Sequence, residues 1–328
     1  MKRGLVIGKF LPPHRGHGYL IQSAIRAVDH LDVLVCSLPE QVPSAVQRAQ
    51  WLQELFPQAH VRVIEDIGRD DDSAAWASYT IQLLGCAPDV VFTSEDYGPI
   101  YSMHLGAEHV MVDRERKSVP ISASEIRRDP FSNWEFLEPS VRMHYLLRVC
   151  VVGAESSGTT TLSRDLAEHY HTVWVPEYGR LYTERLRDQG INTFTYEWKT
   201  PEFIHIAEQQ QKDEDELAKQ ANRILICDTD ALATCIWHQR YVGTWSKEVE
   251  EIANRRRYAM YFLTDPEIPF EFDGVRDGQH IRPWMTKRFS EELTKRGYPW
   301  ILVKGNRQQR LATAIAEIDK LLASQPAK

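Results

Sequence analysis

No stretch of these 328 residues approaches the roughly 18 consecutive apolar residues that a membrane-spanning helix requires. No two cysteines stand at C-x-x-C spacing: Cys36, Cys86, Cys150, Cys227 and Cys235 are scattered, which argues against a zinc or redox motif. Three of them lie in apolar runs (LDVLVC, LLRVCVV, ILIC) and read as small buried hydrophobes, while an odd free thiol fits a reducing compartment. Positive charge is not in excess. Lysine and arginine number 39 against 46 acidic residues, a net charge of −7, so the basic surface of a nucleic-acid binder is missing. A secretory leader is missing too, because the apolar stretch of MKRGLVIGKF is broken by Gly8 and Lys9. The expectation is a cytoplasmic protein with neither membrane nor nucleic acid as partner. A homo-oligomer is left open.

What is present is ordinary globular composition, 43% hydrophobic and 26% charged, in a chain long enough for two domains. Apolar strand candidates alternate with helical spacing. In the first half the strands are residues 4–8 (GLVIG), 31–37, 61–64, 90–93 and 109–112, with helices at 17–28, 44–55 and 74–84. A second alternation begins at 146–152 (LLRVCVV). It continues with a helix near 160–170 and strands at 172–175, 224–227, 258–263 and 300–303. Such alternation implies parallel sheets with helices on both faces. Residues 129–143 (DPFSNWEFLEPSVRM) hold two prolines and few periodic apolar residues. They read as the end of the first domain and the linker, which puts the domains at 1–143 and 144–328.

The first strand runs directly into Lys9-Phe10-Leu11-Pro12-Pro13-His14-Arg15-Gly16-His17. In open parallel sheets, ligands bind beyond the carboxyl end of such a strand. The prolines stiffen the turn, and the helix that follows offers its N-terminus to anions. Two histidines three residues apart can both donate to one phosphate; a lone H-x-x-H favours surface histidines or a metal pair, and the position at the end of the first strand shifts the reading toward phosphate. A second segment, Val119-Pro120-Ile121-Ser122-Ala123-Ser124-Glu125-Ile126-Arg127, sets two hydroxyls and an arginine at a turn-to-helix junction, a polyphosphate cradle.

Together these segments resemble the (H/T)xGH and ISxTxIR motifs of the nucleotidyltransferase superfamily, with Ser124 in place of threonine. GKFLPPHRGH, TSEDYG (93–98), VDRERKSVPIS (112–122) and IRRDPFSNWEFLEPSVR (126–142) resemble, more closely, the nicotinamide-mononucleotide adenylyltransferase half of NadR-type proteins. That resemblance implies in-line attack of the mononucleotide's phosphate on the α-phosphate of ATP, releasing pyrophosphate and giving NAD. In that scheme Lys9, His14, His17 and Arg127 position and neutralise phosphates, Ser122 and Ser124 contact them, and Mg²⁺ bridges pyrophosphate oxygens. A cationic nicotinamide ring gains from an aromatic platform. Trp76, beside the acidic run Asp70-Asp71-Asp72, is one candidate; a core role for Trp76 and a solvated loop for the acids is an equal reading.

The second half opens with Gly153-Ala154-Glu155-Ser156-Ser157-Gly158-Thr159-Thr160-Thr161 between a strand and a helix. Both glycines match G-x-x-x-x-G-K-[ST], and Thr160 occupies the Mg²⁺-binding hydroxyl position. Thr159 stands where the lysine belongs. Arg276 and Arg282, in the glycine-rich segment DGVRDGQHIR (273–282), are offered as replacement charges on a lid. The strand at 224–227 ends in Asp228-Thr229-Asp230. Asp228 would orient Mg²⁺, and Asp230 would bind a ribose hydroxyl or act as the base. Glu177 and Tyr178, after the strand at 172–175, are candidates for substrate contact.

GAESSG, PEYGR, IAEQQ (206–210), CDTDALAT and YFLTDPEIPFEFDGVRDG resemble the ribosylnicotinamide kinase half of the same NadR-type family. The fold expected is therefore α/β, with an N-terminal Rossmann-like nucleotidyltransferase domain and a C-terminal P-loop kinase domain on parallel sheets. The resemblance implies γ-phosphoryl transfer from ATP to nicotinamide riboside, making the nicotinamide mononucleotide that the first domain adenylylates. An adenylyltransferase whose kinase half only senses nucleotides is the alternative, and Thr159 is the residue that favours it. Longer members carry an N-terminal helix-turn-helix domain; with the catalytic strand starting at Gly4, none is expected here.

Overall fold

The computed structural model describes residues 1–272 and 278–324. The chain divides into two compact units, the first Met1–His144 and the second beginning at Tyr145.

The first unit alternates β1 (Arg3–Gly8), α1 (Arg15–Ile25), β2 (His30–Ser37), α2 (Ala45–Leu55), β3 (His60–Glu65), α3 (Ser73–Leu84), β4 (Val90–Thr93), α4 (Gly98–Leu105) and β5 (Glu108–Met111). The strands are all parallel in the order β3-β2-β1-β4-β5, so β1 sits at the centre, where the strand order reverses. Alternate side chains of each strand serve opposite faces. Val6, Val33 and Val35 bury against Leu20, Ile21 and Leu52, while Leu5, Ile7 and Leu34 bury against Ala77 and Tyr101. Helices thus cover both faces, as a parallel sheet requires.

After β5 come α5 (Ala123–Arg128) and α6 (Pro139–Tyr145). Residues 129–143, read as the end of the first domain and the linker, lie within the first unit. Phe131, Trp134, Leu137 and Val141 are buried, and Trp134–Phe136 forms a 3-10 turn. Short turns with one buried residue each leave no helical period to detect.

The second unit runs β6 (Leu147–Gly153), α7 (Thr159–His169), β7 (Trp174–Val175), α8 (Tyr178–Asp188), α9 (Thr200–Ala218), β8 (Ile224–Asp228), α10 (Ala231–Val242), α11 (Lys247–Ala253), β9 (Met260–Thr264), α12 (Arg282–Lys295), β10 (Trp300–Val303) and α13 (Arg307–Ser324). Its sheet is also parallel, ordered β10-β9-β6-β8-β7, with β6 central. Val149 and Val151 pack with Leu162 and Leu166 of α7 and Ala314 and Ile318 of α13. No helix among the described residues is long and apolar enough to cross a membrane.

Candidate active sites

In the first unit the turn from β1 into α1 is held open at the carboxyl edge of the central strand. Phe10 takes a left-handed φ of 47° and is buried, an unusual backbone for an aromatic residue and of the kind that clusters at binding sites. His14 is the N-cap of α1, and its Nδ1 accepts from the backbone N–H of Gly16 (3.1 Å) and of His17 (3.4 Å). That fixes the tautomer: Nδ1 is the acceptor, so a neutral ring carries its proton on Nε2. Burial, then the Arg116 charge, hold His14 down at about 3. His17 is pushed well below the usual histidine value by burial, His14 and Arg116 in turn. The two rings stack with centroids 3.7 Å apart, and His17 Nδ1 is buried with no hydrogen-bond partner. Both imidazoles are therefore neutral donors at neutral pH.

The second segment arrives at the same turn. Arg127 Nη1 donates to the carbonyl of Leu11 at 2.5 Å, and its Nη2 donates to Ser124 Oγ at 3.2 Å. Ser122 caps α5, donating from Oγ to Glu125 Oε2 (2.6 Å) while accepting from the Glu125 N–H (3.2 Å). Its hydroxyl is thus spent on the capping box, whereas Ser124 is exposed. Lys9 faces Asp66 and Asp70, each at 3.7 Å. Trp76 is half-buried in α3 against the core, and its Nε1 donates to the Arg69 carbonyl at 3.0 Å.

Two arginines here were not singled out in the sequence. Arg116, within the VDRERKSVPIS string and in the turn held by the Asp113 carboxylate, adds to the lowering of both histidines that burial begins. Arg48 of α2 is fully buried and donates to the Lys9 carbonyl and to Gln41 Oε1.

In the second unit the strand-to-helix loop has the torsions of an anion-binding turn, with Ser156 at φ 54° and Gly158 at φ 88°. A Cβ on Gly153 would collide with Thr264 Oγ1 and Ser157 Oγ, so glycine is required there. Ser157 Oγ is buried between the Ala154 carbonyl (2.6 Å) and Thr264 Oγ1 (2.6 Å), so it braces the loop. Ser156 Oγ accepts the Glu271 N–H at 2.8 Å. Thr160 Oγ1 donates to Asp228 Oδ2 at 2.5 Å. Thr159 flanks the cavity beside the loop, and Thr161 is exposed on the first turn of α7. Arg282 lies on the loop, donating from Nη2 to the carbonyls of Ser156 (3.2 Å) and Ile268 (2.9 Å). Arg276 falls outside the described residues.

A cavity opens beside this loop, lined by Glu177 and by an aromatic wall of Trp198, Phe203, Trp237 and Tyr241. Trp198 and Tyr241 are 5.4 Å apart, and the Arg240 guanidinium lies 4.5 Å over the Tyr241 ring. None of these four aromatic residues was marked from sequence. The i, i+4 spacing of Trp237 and Tyr241 directly after CDTDALAT was the available signal.

Two expected contacts are corrected. Asp230 does not reach the cavity: it is 2% exposed, caps α10 through the Ala233 N–H (2.8 Å) and accepts from Tyr261 Oη (2.8 Å). Thr229, at φ 66°, turns the chain so that only Asp228 of the pair faces Thr160. Burial raises the Asp230 carboxyl to about 6. Tyr178 is likewise buried: its Oη bonds His205 Nε2 (3.2 Å) and accepts from Arg185 (3.2 Å), while its N–H donates to Gln210 Oε1 (2.8 Å).

Oxygen donors suit Mg²⁺, which usually takes one or two protein ligands and completes its shell with phosphates and water. Thr160 and Asp228 make such a pair. Among the described residues no cluster of three or more His, Cys, Asp or Glu could hold a metal ion by itself.

A family model described as an AAA domain matches residues 148–310. The trifunctional NAD biosynthesis/regulator protein NadR of Escherichia coli is 30% identical over 295 residues, covering 83% of this chain and 71% of that protein. The nicotinamide-nucleotide adenylyltransferase of Thermococcus kodakarensis is 24% identical over 195 residues, 54% of this chain and all of the relative. Among solved structures, a NadR protein in complex with NR superposes with a TM-score of 0.79 at 20% identity, covering 99% of this chain and 98% of the other. A NadR protein in complex with NAD and AMP-PNP gives 0.78 at 18% identity, covering 99% and 97%.

Proposed function

Since this chain belongs to the NadR family of NAD biosynthesis proteins, we propose that it carries two ATP-dependent activities in series, one in each unit. The second unit phosphorylates nicotinamide riboside, and the first adenylylates the resulting mononucleotide to NAD. The observation that carries the first activity is the neutral, stacked His14–His17 pair joined to the Arg127 segment through the Leu11 carbonyl. An oxygen of the mononucleotide's phosphate forms a bond to the α-phosphorus of ATP. The bond from that phosphorus to the bridging oxygen breaks, and pyrophosphate leaves with the electron pair. His14 offers its Nε2–H, and Arg127 and Lys9 offer charge, to the oxygens on which negative charge grows. Lys9 exchanges its Asp66 and Asp70 contacts for phosphate.

For the kinase step, the riboside stands against the aromatic wall with its 5′-hydroxyl toward the loop. The hydroxyl oxygen bonds to the γ-phosphorus, the β–γ bridge breaks, and ADP leaves with the electron pair. Glu177, on the cavity wall, accepts the hydroxyl proton in place of Asp230. Thr160 and Asp228 would hold Mg²⁺, which would supply charge neutralisation for the transferring phosphoryl group.

Thr159 is the one residue that favours a nucleotide-sensing second unit instead. Incubation of the protein with ATP and nicotinamide riboside separates the two readings, because only a kinase makes the mononucleotide.

A further inference from the structure

We propose that Arg282 takes the place of the missing loop lysine, meeting the β- and γ-phosphates of the bound triphosphate from the start of α12. This deepens the kinase reading and rests on it.

A P-loop holds phosphates with backbone N–H groups, but the transferring phosphoryl also needs a full positive charge, and Thr159 brings none. The cations around the loop differ in what already occupies them. Arg240 is paired with Glu155 at 2.7 Å, both about a tenth exposed. Arg310 spends its donors on the carbonyls of Gly305 (2.8 Å), Ser157 (2.6 Å) and Asp265 (2.9 Å), with Glu267 at 3.4 Å, and so fastens the loop to the chain behind it. Arg180 is paired with Glu184 at 2.9 Å.

Arg282 differs from all three. It is 7% exposed, its Nε is buried with no partner, and among the described residues no carboxylate forms an ion pair with it. Among the described residues its hydrogen bonds run from one nitrogen to the carbonyls of Ser156 and Ile268. Burying a guanidinium without a counter-charge is costly, and Arg310 nearby adds repulsion. Burial first and Arg310 second lower its pKa. The Phe270 ring 5.9 Å away and the charge of Asp265, which lies beyond ion-pair distance, offset part of that cost, and a polyphosphate on the loop would supply the direct counter-charge that is lacking.

Delivery is also built in. The Gly278 N–H donates to Glu155 Oε2 at 2.6 Å, which pins the approach to α12 onto the loop itself. Arg282, the first residue of α12, is therefore set at the loop by its own chain segment.

The test is a rescue. Arg282→Met keeps the stem and removes the charge; Arg282→Lys keeps the charge; Thr159→Lys restores the missing lysine. Each is made singly, and Arg282→Met is also combined with Thr159→Lys. Turnover of ATP with nicotinamide riboside is measured alongside affinity for a non-hydrolysable ATP analogue and for ADP. Arg282→Met should lose about a hundredfold or more in kcat/KM, the scale of one preorganised charge contact. It should lose more affinity for the triphosphate analogue than for ADP, Arg282→Lys should lose far less, and Thr159→Lys in the double variant should recover most of the loss. A merely structural arginine would not be rescued from position 159. Wild-type behaviour of Arg282→Met, or a double variant as weak as the single one, overturns the proposal. If the unaltered protein never turns over the riboside, the kinase reading fails, and the analogue affinities still decide the role of Arg282.

Discussion

Thr160 Oγ1 donates to Asp228 Oδ2 across 2.5 Å, joining the first turn of α7 to the end of β8. Asp230, only two residues on, is engaged elsewhere, by the Ala233 N–H and the Tyr261 hydroxyl. The Thr160–Asp228 bond sets a helix hydroxyl beside a strand-end carboxylate, two oxygen atoms of the kind that Mg²⁺ takes.

The two acids should therefore respond differently to the same change. Asp228→Asn should lower phosphorylation of the riboside by two or more orders of magnitude, about the share that metal-assisted charge stabilisation carries. Asp230→Asn should keep kcat near wild type in the same assay. Asp230→Ala should cost about 2 kcal/mol in urea unfolding, through the lost cap of α10 and the orphaned Tyr261 hydroxyl.

Asp230 also leaves a signature in pH. Its folded carboxyl titrates near 6, against about 4 in an unfolded chain. Between those values the folded state holds the extra proton, so this contribution is full below about 4 and is lost as pH rises toward 6. Urea unfolding at several pH values should show that slope in the wild type and not in Asp230→Asn.

The histidine pair slopes the other way. His14 stays neutral down to about 3, while an unfolded histidine takes a proton near 6.5. The unfolded chain binds more protons between those values, so the first unit loses stability as pH falls from about 6.5 toward 3. Adenylyl transfer should show no histidine inflection above pH 5. His17→Ala should abolish NAD formation from added mononucleotide, and near-normal activity in that variant would remove His17 from the mechanism.

Much of this was legible in the sequence because it is local. Residues 90–93 and 300–303 are strands as their apolar runs announce, and Ser44, before α2, is its N-cap. The glycine spacing of the P-loop and the H-x-x-H turn were visible because each is one continuous string. α4 was not read: GPIYSMHL starts on glycine and proline and has almost no apolar stripe to follow. Asp230 was misplaced because one left-handed residue, Thr229, redirects the chain, and threonine rarely announces that. Arg48 meets the β1–α1 turn, and Trp198 and Phe203 meet Tyr241, only through packing between segments far apart in sequence.

The wall carries its own expectation. Trp237→Ala should raise the KM for nicotinamide riboside by roughly tenfold or more, the scale of one lost aromatic stack. The KM for ATP should change little. Equal changes in both would place Trp237 in the packing of the unit and not in contact with the ring.

The most direct measurement is ATP-dependent conversion of nicotinamide riboside by the purified protein, followed through the mononucleotide to NAD, with Asp228→Ala alongside. The expected result is mononucleotide and then NAD from the wild type, with no riboside phosphorylation by Asp228→Ala, which still makes NAD from added mononucleotide. NAD from added mononucleotide but none from the riboside would contradict the two-step enzyme and leave the second unit a nucleotide sensor.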